Sequence, residues 1–157
     1  MSVDGYAYDA PSFAELLLRT YYPEKTTQES AIIRDYLVGH LREYDRVMFS
    51  ARIGAGAPLD ESTPESTQAQ TAHVTRRRID VVAWHLGQVT LIEAKLRVGH
   101  AVLGQLLSDR MLWLDERPSD PEPVLVAIGR ESDDDSIRIL NSHGISVFLY
   151  PAANAGR

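Results

Sequence analysis

The fold is decided by the stretch from Ile79 to Lys95, which reads IDVVAWHLGQVTLIEAK. Both halves of this stretch are rich in β-branched and other apolar residues, as buried strands are. Leu86-Gly87 lies at its centre, where a glycine permits the positive φ of a two-residue hairpin turn. The pattern predicts two strands, Val74 to Trp84 and Gln88 to Val98, joined as an antiparallel hairpin.

The register of this hairpin determines which charged side chains meet. With a two-residue turn at its centre, Asp80 lies directly opposite Glu93, and Arg78 lies opposite Lys95. Strand alternation then places Asp80, Glu93 and Lys95 on one face of the sheet. Directly opposed carboxylates are roughly 5 Å apart and repel each other. A divalent cation between them would remove that repulsion.

Hydrophobic periodicity on either side of the hairpin predicts further helices and strands. The other predicted elements are helices over Ser12 to Arg19, Thr27 to Glu43 and Gly99 to Leu114, a helix that begins at Asp133 to Asp135, and strands over Asp45 to Arg52, Val124 to Ile128 and Ile145 to Tyr150. Their order, α-α-β-β-β-α-β-α-β, predicts the α/β class, with a mixed sheet that contains an antiparallel meander and helices on both faces.

The chain of 157 residues is predicted to form a single domain. Residues 54–72 are rich in Gly, Pro, Ser, Thr and Gln, which predicts a flexible loop and suggests a substrate flap. A short flexible tail is predicted over residues 151–157.

Composition excludes several kinds of site. The chain has no cysteine, so disulfides, thiolate zinc sites and thiol catalysis are absent. No signal peptide and no membrane-spanning segment is recognisable, which predicts a cytoplasmic protein. The net charge is −6, yet the window from His73 to His100 holds five basic and two acidic residues. A locally basic site on an acidic body is compatible with a nucleic-acid partner.

The motif from Asp80 to Glu93-Ala94-Lys95, followed by an amphipathic helix, resembles that of the PD-(D/E)xK, or restriction-endonuclease-like, nuclease superfamily. The resemblance covers roughly Thr26 to Leu114, and it extends to the Holliday-junction resolvases of that superfamily. It implies a restriction-endonuclease-like core. It also implies an Mg²⁺-dependent phosphodiester hydrolase, for which Mn²⁺ is a substitute.

The resemblance also implies roles for individual residues. Asp80 and Glu93 would bind the metal, with Glu29 and the carbonyl of Ala94 as further ligands, and Lys95 would orient or activate the attacking water. Hard oxygen ligands suit Mg²⁺, and lysine, unlike arginine, can lose its proton when buried. Lysine at this position is notable because 14 of the 16 basic residues are arginine.

Three assignments have alternatives at this stage. Glu29 follows Thr26 by three residues, so it fits a capping box as well as a metal ligand. Gln105 corresponds to a site glutamine in some nucleases of the superfamily, but those carry a tyrosine four residues later, where this chain has Asp109. Arg76, Arg77 and Arg78 lead into Asp80 and could contact phosphates. For Arg77 an exposed position at the start of a strand is an equal alternative, whereas Arg76 and Arg78 are predicted to share the face of the site.

Two functions are compatible with these residues. The first is a metal-dependent nuclease acting on DNA, with RNA not excluded, that is structure-selective and works as a homodimer or within a larger complex. The alternative is a catalytically silent nuclease-fold module that binds nucleic acid or serves in assembly. Retention of Asp80, Glu93 and Lys95 together favours the first.

Overall fold

The computed structural model describes residues 4–56, 62, 64, 65, 67, 68, 70 and 75–153. These residues form six strands and four α-helices, with short 3₁₀ turns before α1 and after α2. In chain order the elements are β1 (Asp4–Asp9), α1 (Phe13–Leu18), α2 (Thr27–His40), β2 (Arg46–Ile53), β3 (Arg77–His85), β4 (Gln88–Arg97), α3 (His100–Glu116), β5 (Val124–Glu131), α4 (Asp134–Ser142) and β6 (Ile145–Leu149).

The six strands form one mixed sheet in which spatial order follows chain order, from β1 to β6. The first four strands pair antiparallel, whereas β4 with β5 and β5 with β6 are parallel. Helices α3 and α4 provide the crossovers that parallel neighbours require. The predicted α/β class with a mixed, helix-flanked sheet is confirmed.

The predicted hairpin register is confirmed over the paired part of β3 and β4. The ladder runs from His85↔Gln88 to Val81↔Ile92. The turn residues Leu86 and Gly87 have φ of 47° and 83°. Positive φ at both central residues gives a turn whose twist matches that of the flanking strands.

The core consists of two apolar layers, one on each face of the sheet. Helices α1 and α2 cover one face, where the buried residues include Leu16, Ile33, Leu37, Phe49, Val81 and Ile92. Helices α3 and α4 cover the other, where they include Met48, Val82, Leu91, Leu106, Trp113 and Leu140. Each such side chain contributes about 1.5–3 kcal/mol when fully removed from water.

The sequence-based order is wrong at its start, because strand β1 precedes the first helix. Tyr6 pairs with Phe49 and Tyr8 with Val47, so β1 extends the sheet beyond β2. Most of its side chains are exposed. An edge strand held by backbone pairing buries little, and therefore lacks the hydrophobic alternation by which strands are recognised.

The predicted loop and tail are described only in part. Within 54–72, the described residues Glu65, Thr67, Gln68 and Gln70 have helical backbone conformation, and the flexible loop stays a prediction. Ser62 and Pro64 of that loop are also described, whereas its other residues beyond Gly56 lie outside the described residues, as do Val74 and residues 154–157 of the tail. No helix in the described part of the chain has the length and apolar character needed to cross a bilayer.

Candidate active site at the fork between two strands

Strands β3 and β4 separate beyond the hairpin and leave a fork in the sheet. The upstream part of β3, from Arg77 to Ile79, pairs with β2, whereas β4 from Glu93 onward pairs with β5. At the fork the Ala94 N–H donates to Oδ2 of Asp80 at 2.9 Å. The Asp80 carboxylate therefore takes a backbone donor where the two strands part.

Asp80 and Glu93 are both buried at this fork, with 7% and 2% of their surface exposed. Burial, and after it the charge of Asp80, raises the pKa of Glu93 far above its usual range. Oε2 of Glu93 is buried and has no hydrogen-bond partner among the described residues. Leaving a buried acceptor unsatisfied costs about 1–3 kcal/mol, so this oxygen is suited to an added cation.

Lys25, which precedes Asp80 by 55 residues, contributes a cation to the fork. Its Nζ lies 2.6 Å from Oδ1 of Asp80, and both side chains are less than a tenth exposed. With Ala94 N–H on Oδ2, each oxygen of Asp80 has a donor. Lys25 is thus a residue of the site that sequence reasoning missed.

The backbone before Lys25 is anchored to β2 and β3. Oγ of Ser50 donates to the Pro23 carbonyl at 2.9 Å, and the Glu24 carboxylate bonds Arg52 at 3.0 Å and Arg78 at 3.3 Å. Ser50 and Glu24 have φ of 53° and 58°. Non-glycine residues with positive φ are uncommon and tend to occur at functional sites.

Ser50 also changes the face to which β2 directs its side chains. Val47 and Phe49 belong to the layer beneath α1 and α2, whereas Ala51 and Ile53 belong to the layer beneath α3 and α4. Residues two apart in a regular strand share a face, so the left-handed conformation at Ser50 interrupts that alternation. The interruption lies beside the loop that carries Lys25.

Lys95 lies half-buried on β4, two residues after Glu93. Its positive charge lowers the pKa of Glu93 against the larger opposing effects of burial and of Asp80. Lys95 and Lys25 are the only lysines of the chain. Both lysines act on the pair of carboxylates at the fork: Lys25 contacts Asp80 directly, and Lys95 acts on Glu93 through its charge.

A third carboxylate, that of Asp109 on α3, is fully buried behind the fork. Burial raises its pKa to about 6, although the Arg77 guanidinium opposes the rise. Arg77 Nε donates to Oδ1 at 3.2 Å, and Oδ2 has no partner among the described residues. Asp109 also raises the pKa of Glu93 through its charge.

Glu29 lies at the start of α2 and takes part in a capping box. Its Oε2 accepts the Thr26 N–H at 2.9 Å, while its own N–H donates to Oγ1 of Thr26 at 3.2 Å. Of the two readings of Glu29, the capping box is present in the structure. A metal-binding role for Glu29 stays a prediction, as does one for the Ala94 carbonyl.

The three remaining predicted residues lie in different surroundings. Arg76 donates to the carbonyls of Gly54 and Arg52, at 2.8 Å and 3.1 Å. Arg78 is more exposed and bonds Glu24, next to Lys25. Gln105 is half-buried on α3, one turn before Asp109. Their predicted roles stay predictions.

The two site residues that sequence reasoning missed did leave signals. Lys25 shares with Lys95 the rarity of lysine in a chain whose basic residues are nearly all arginine. On α3 the buried positions are Val102, Leu106, Asp109 and Trp113, a helical stripe interrupted by one carboxylate. A charged residue at a core position of a helix is the signal for Asp109.

The residues at the fork fit a divalent cation of the Mg²⁺ type. Mg²⁺ prefers carboxylate oxygens and usually binds through one or two carboxylates plus substrate phosphate, while it keeps several waters. Asp80 and Glu93 supply two such groups, and Oε2 of Glu93 lacks a donor among the described residues. Within the described ranges no three His, Asp or Glu side chains are grouped closely enough to enclose a metal by themselves.

No protein-family model and no curated protein matches the chain. Among solved structures, the chain is similar to a repair endonuclease from Pyrococcus abyssi, with a TM-score of 0.43 and 16% identity over 87% of this chain and 51% of that chain. It is also similar to EndoMS in a complex with double-stranded DNA, with a TM-score of 0.46 and 16% identity over 87% of this chain and 50% of that chain. A protein of unknown function gives a TM-score of 0.46 and 14% identity over 81% of this chain and 60% of that chain.

The chain thus spans between 50% and 60% of the length of these three structures. The likeness is one of fold alone: an α/β domain with a mixed six-stranded sheet between helices.

Proposed function

We propose that this chain is a metal-dependent nuclease that hydrolyses phosphodiester bonds of DNA at the fork between β3 and β4. The observation that carries the proposal is the buried pair Asp80 and Glu93, with both lysines of the chain beside it. Oε2 of Glu93 has no hydrogen-bond partner in the part of the chain that the structure describes. A purely structural core has no use for such a pair, because an apolar replacement is often as stable or more so.

In this proposal Asp80 and Glu93 hold Mg²⁺, with Mn²⁺ as a substitute. The bound ion would supply neutralisation of the charge that develops on the phosphoryl oxygens and a lower pKa for a coordinated water. Glu93 contributes as a carboxylate, so its buried proton must leave when the ion binds. The position of Glu93 beside Lys95 assists that loss, because a positive charge favours the ionised form.

Lys95 acts on the reacting atoms in this mechanism. Its ammonium, at the half-buried end of β4, orients the attacking water and the phosphoryl oxygen next to it. Hydrolysis forms one bond from the water oxygen to phosphorus and breaks one ester bond, and the departing oxygen takes up a proton. Lysine suits this position because it is a compact cation that can also give up a proton.

Contacts to the DNA backbone are proposed for arginines around the fork. The side chains of Arg77, Arg78 and Arg97 are each roughly half exposed. Arginine binds phosphate through a bidentate fork of N–H donors. Such contacts position a nucleic acid without reading its sequence.

The test is cleavage of a labelled panel: linear duplex, single strand, flap, four-way junction and RNA. Each substrate is incubated with Mg²⁺, Mn²⁺ or EDTA, with wild-type protein and with Glu93→Gln. Metal-dependent cleavage that the substitution removes is the expected result, and the preferred substrate identifies the subtype. Equal cleavage by Glu93→Gln would exclude the fork as the active site.

A homodimer is part of the proposal, because two active sites in one particle can cut both strands of a duplex in a single binding event. Light scattering of the purified protein, alone and with a duplex oligonucleotide, tests it. A monomer under both conditions would contradict a paired nuclease and would favour action on one strand.

The second candidate function is a catalytically silent module that binds nucleic acid or takes part in assembly. The ion pair of Lys25 with Asp80 favours it, because an ammonium there neutralises the carboxylate without any metal. Calorimetric titration separates the two candidates. Uptake of Mn²⁺ that depends on Glu93 supports the nuclease, whereas no uptake by folded protein supports the silent module.

A further inference from the structure

We propose that Lys25 is a built-in counter-cation of the metal site, which holds Oδ1 of Asp80 in the metal-free protein and has to release it when a divalent cation binds. The inference rests on the proposed function and concerns its regulation. It assigns to Lys25 the role of lowering the metal affinity of the free protein.

The contacts of Asp80 give the first argument. Its Oδ2 accepts the Ala94 N–H at 2.9 Å, and its Oδ1 lies 2.6 Å from Nζ of Lys25. Two cations that share one carboxylate oxygen repel each other, the more strongly in a poorly solvated site. A divalent ion at Oδ1 therefore competes directly with Lys25.

The second argument is that the protein holds Lys25 in place instead of leaving it to solvent. The Ser50 hydroxyl holds the Pro23 carbonyl, and the Glu24 carboxylate bonds both Arg52 and Arg78. The Lys25 N–H donates to the Tyr22 carbonyl at 3.2 Å. Lysine side chains usually keep their ammonium in water, whereas this one is 6% exposed.

The third argument concerns the destination of the displaced ammonium. A buried cation that loses its counter-ion needs another anion, because an unpaired buried charge is strongly unfavourable. In the proposed reaction the scissile phosphate is the anion that arrives at the fork. Lys25 would then pass from Asp80 to the substrate, so that the metal site fills readily only when substrate is present.

The experiment is calorimetric titration of Mn²⁺ into the whole chain without nucleic acid, for wild type, Lys25→Met and Lys95→Met. Methionine approximates the unbranched apolar stem of lysine and removes the ammonium with its charge and hydrogen-bond donors. Lys25→Met is expected to bind Mn²⁺ about 10-fold more tightly than wild type, within the range typical of coupled sites. Lys95→Met is the matched control, and its change is expected to be smaller, because Lys95 acts on Glu93 through its charge.

Cleavage provides a second readout from the same proteins. The Mn²⁺ concentration that gives half-maximal cleavage is expected to fall in Lys25→Met, while the Michaelis constant for DNA rises. A residue that merely positioned Asp80 would produce the opposite change in the metal requirement.

Three outcomes overturn the inference. Mn²⁺ affinity in Lys25→Met equal to or weaker than in wild type would do so while leaving the nuclease proposal intact. An equal gain in Mn²⁺ affinity in Lys25→Met and Lys95→Met would show that removing any nearby positive charge has this effect. Absence of Mn²⁺ binding in wild type and in folded Lys25→Met would remove the metal site, and with it both proposals.

Ser50→Gly decides the matter if Lys25→Met does not fold. Ser50 has a φ of 53°, a conformation that glycine adopts without strain, so the backbone of β2 is retained. The substitution removes the hydroxyl that anchors Pro23 and leaves Lys25 present but less firmly held. Tighter Mn²⁺ binding than in wild type supports the inference, and unchanged or weaker binding overturns it.

Discussion

Arg77 on β3 and Asp109 on α3 form an ion pair that joins the sheet to the helix behind the fork, with a distance of 3.2 Å between Nη2 and Oδ1. The carboxylate is completely buried, while its arginine partner is nearly half exposed. The other two carboxylates of the fork, Asp80 and Glu93, have lysines as their neighbouring cations. Because burial raises the pKa of both Glu93 and Asp109, protonation of these two groups determines how the protein responds to pH and to substitution.

Asp109→Asn is expected to stabilise the protein at neutral pH. The folded-state pKa of Asp109 is raised to about 6 from an ordinary value of 3.8. The protonated form of Asp109 therefore stabilises the fold fully below pH 3.8, the ordinary pKa that applies in the unfolded chain. This stabilisation is lost as the pH rises through about 6. By linkage the variant should exceed wild type by about 1–3 kcal/mol at pH 7.5 and equal it near pH 3.5. Urea unfolding in EDTA across this range measures the difference, and a difference independent of pH would contradict the prediction.

Glu93→Gln is also expected to stabilise the protein at neutral pH, and it should remove the stabilisation that a bound metal gives. Because burial and Asp80 raise the pKa of Glu93, its protonated form stabilises the fold at low pH and this stability is lost as the pH rises. Glutamine avoids that loss, so the variant should gain about 1–3 kcal/mol at pH 7.5 in EDTA. Adding Mn²⁺ should raise the melting temperature of wild type only, because an ion that binds the folded state stabilises it. An equal rise in the variant would place the ion elsewhere.

Lys95→Ala is expected to lower kcat for DNA cleavage by about 100-fold or more, the usual effect of removing one donor that stabilises a transition state. Lys95→Arg should recover little activity if loss of a proton matters, since arginine stays charged. Arg138→Ala is the matched control, because Arg138 is an exposed cation on α4. Single-turnover cleavage with saturating protein separates this effect from weaker binding, and full activity in Lys95→Ala would remove Lys95 from the mechanism.

Glu29 can be tested with a pair of substitutions that separate helix capping from metal binding. Glutamine serves in a capping box as glutamate does, so Glu29→Gln should retain both stability and Mn²⁺ affinity. Thr26→Ala removes the hydroxyl that accepts the Glu29 N–H and should cost about 1 kcal/mol of unfolding free energy. A marked loss of Mn²⁺ affinity in Glu29→Gln, measured by calorimetry, would instead make Glu29 a metal ligand.

The sequence by itself determined the features that depend on neighbours along the chain. The turn at Leu86-Gly87 sets the register of the hairpin, whose ladder ends at Val81↔Ile92, one residue before Asp80 and Glu93. The spacing of Thr26 and Glu29 likewise predicts the capping box that the structure shows. Such features are readable because strand alternation, turn geometry and helix capping operate over a few residues.

Tertiary structure alone decided the features that depend on pairing between distant segments. Strand β1 exists because its backbone pairs with β2, and its exposed side chains carry no pattern from which it could be recognised. Lys25 meets Asp80 across 55 residues of sequence, and Arg77 meets Asp109 across 32. These groups lie where the ladder between β3 and β4 ends, while β3 still pairs with β2 and β4 still pairs with β5. The position of each segment is determined by burial of its apolar residues. The contacts between distant charged side chains follow from that packing, so the pattern of charges along the sequence does not predict them.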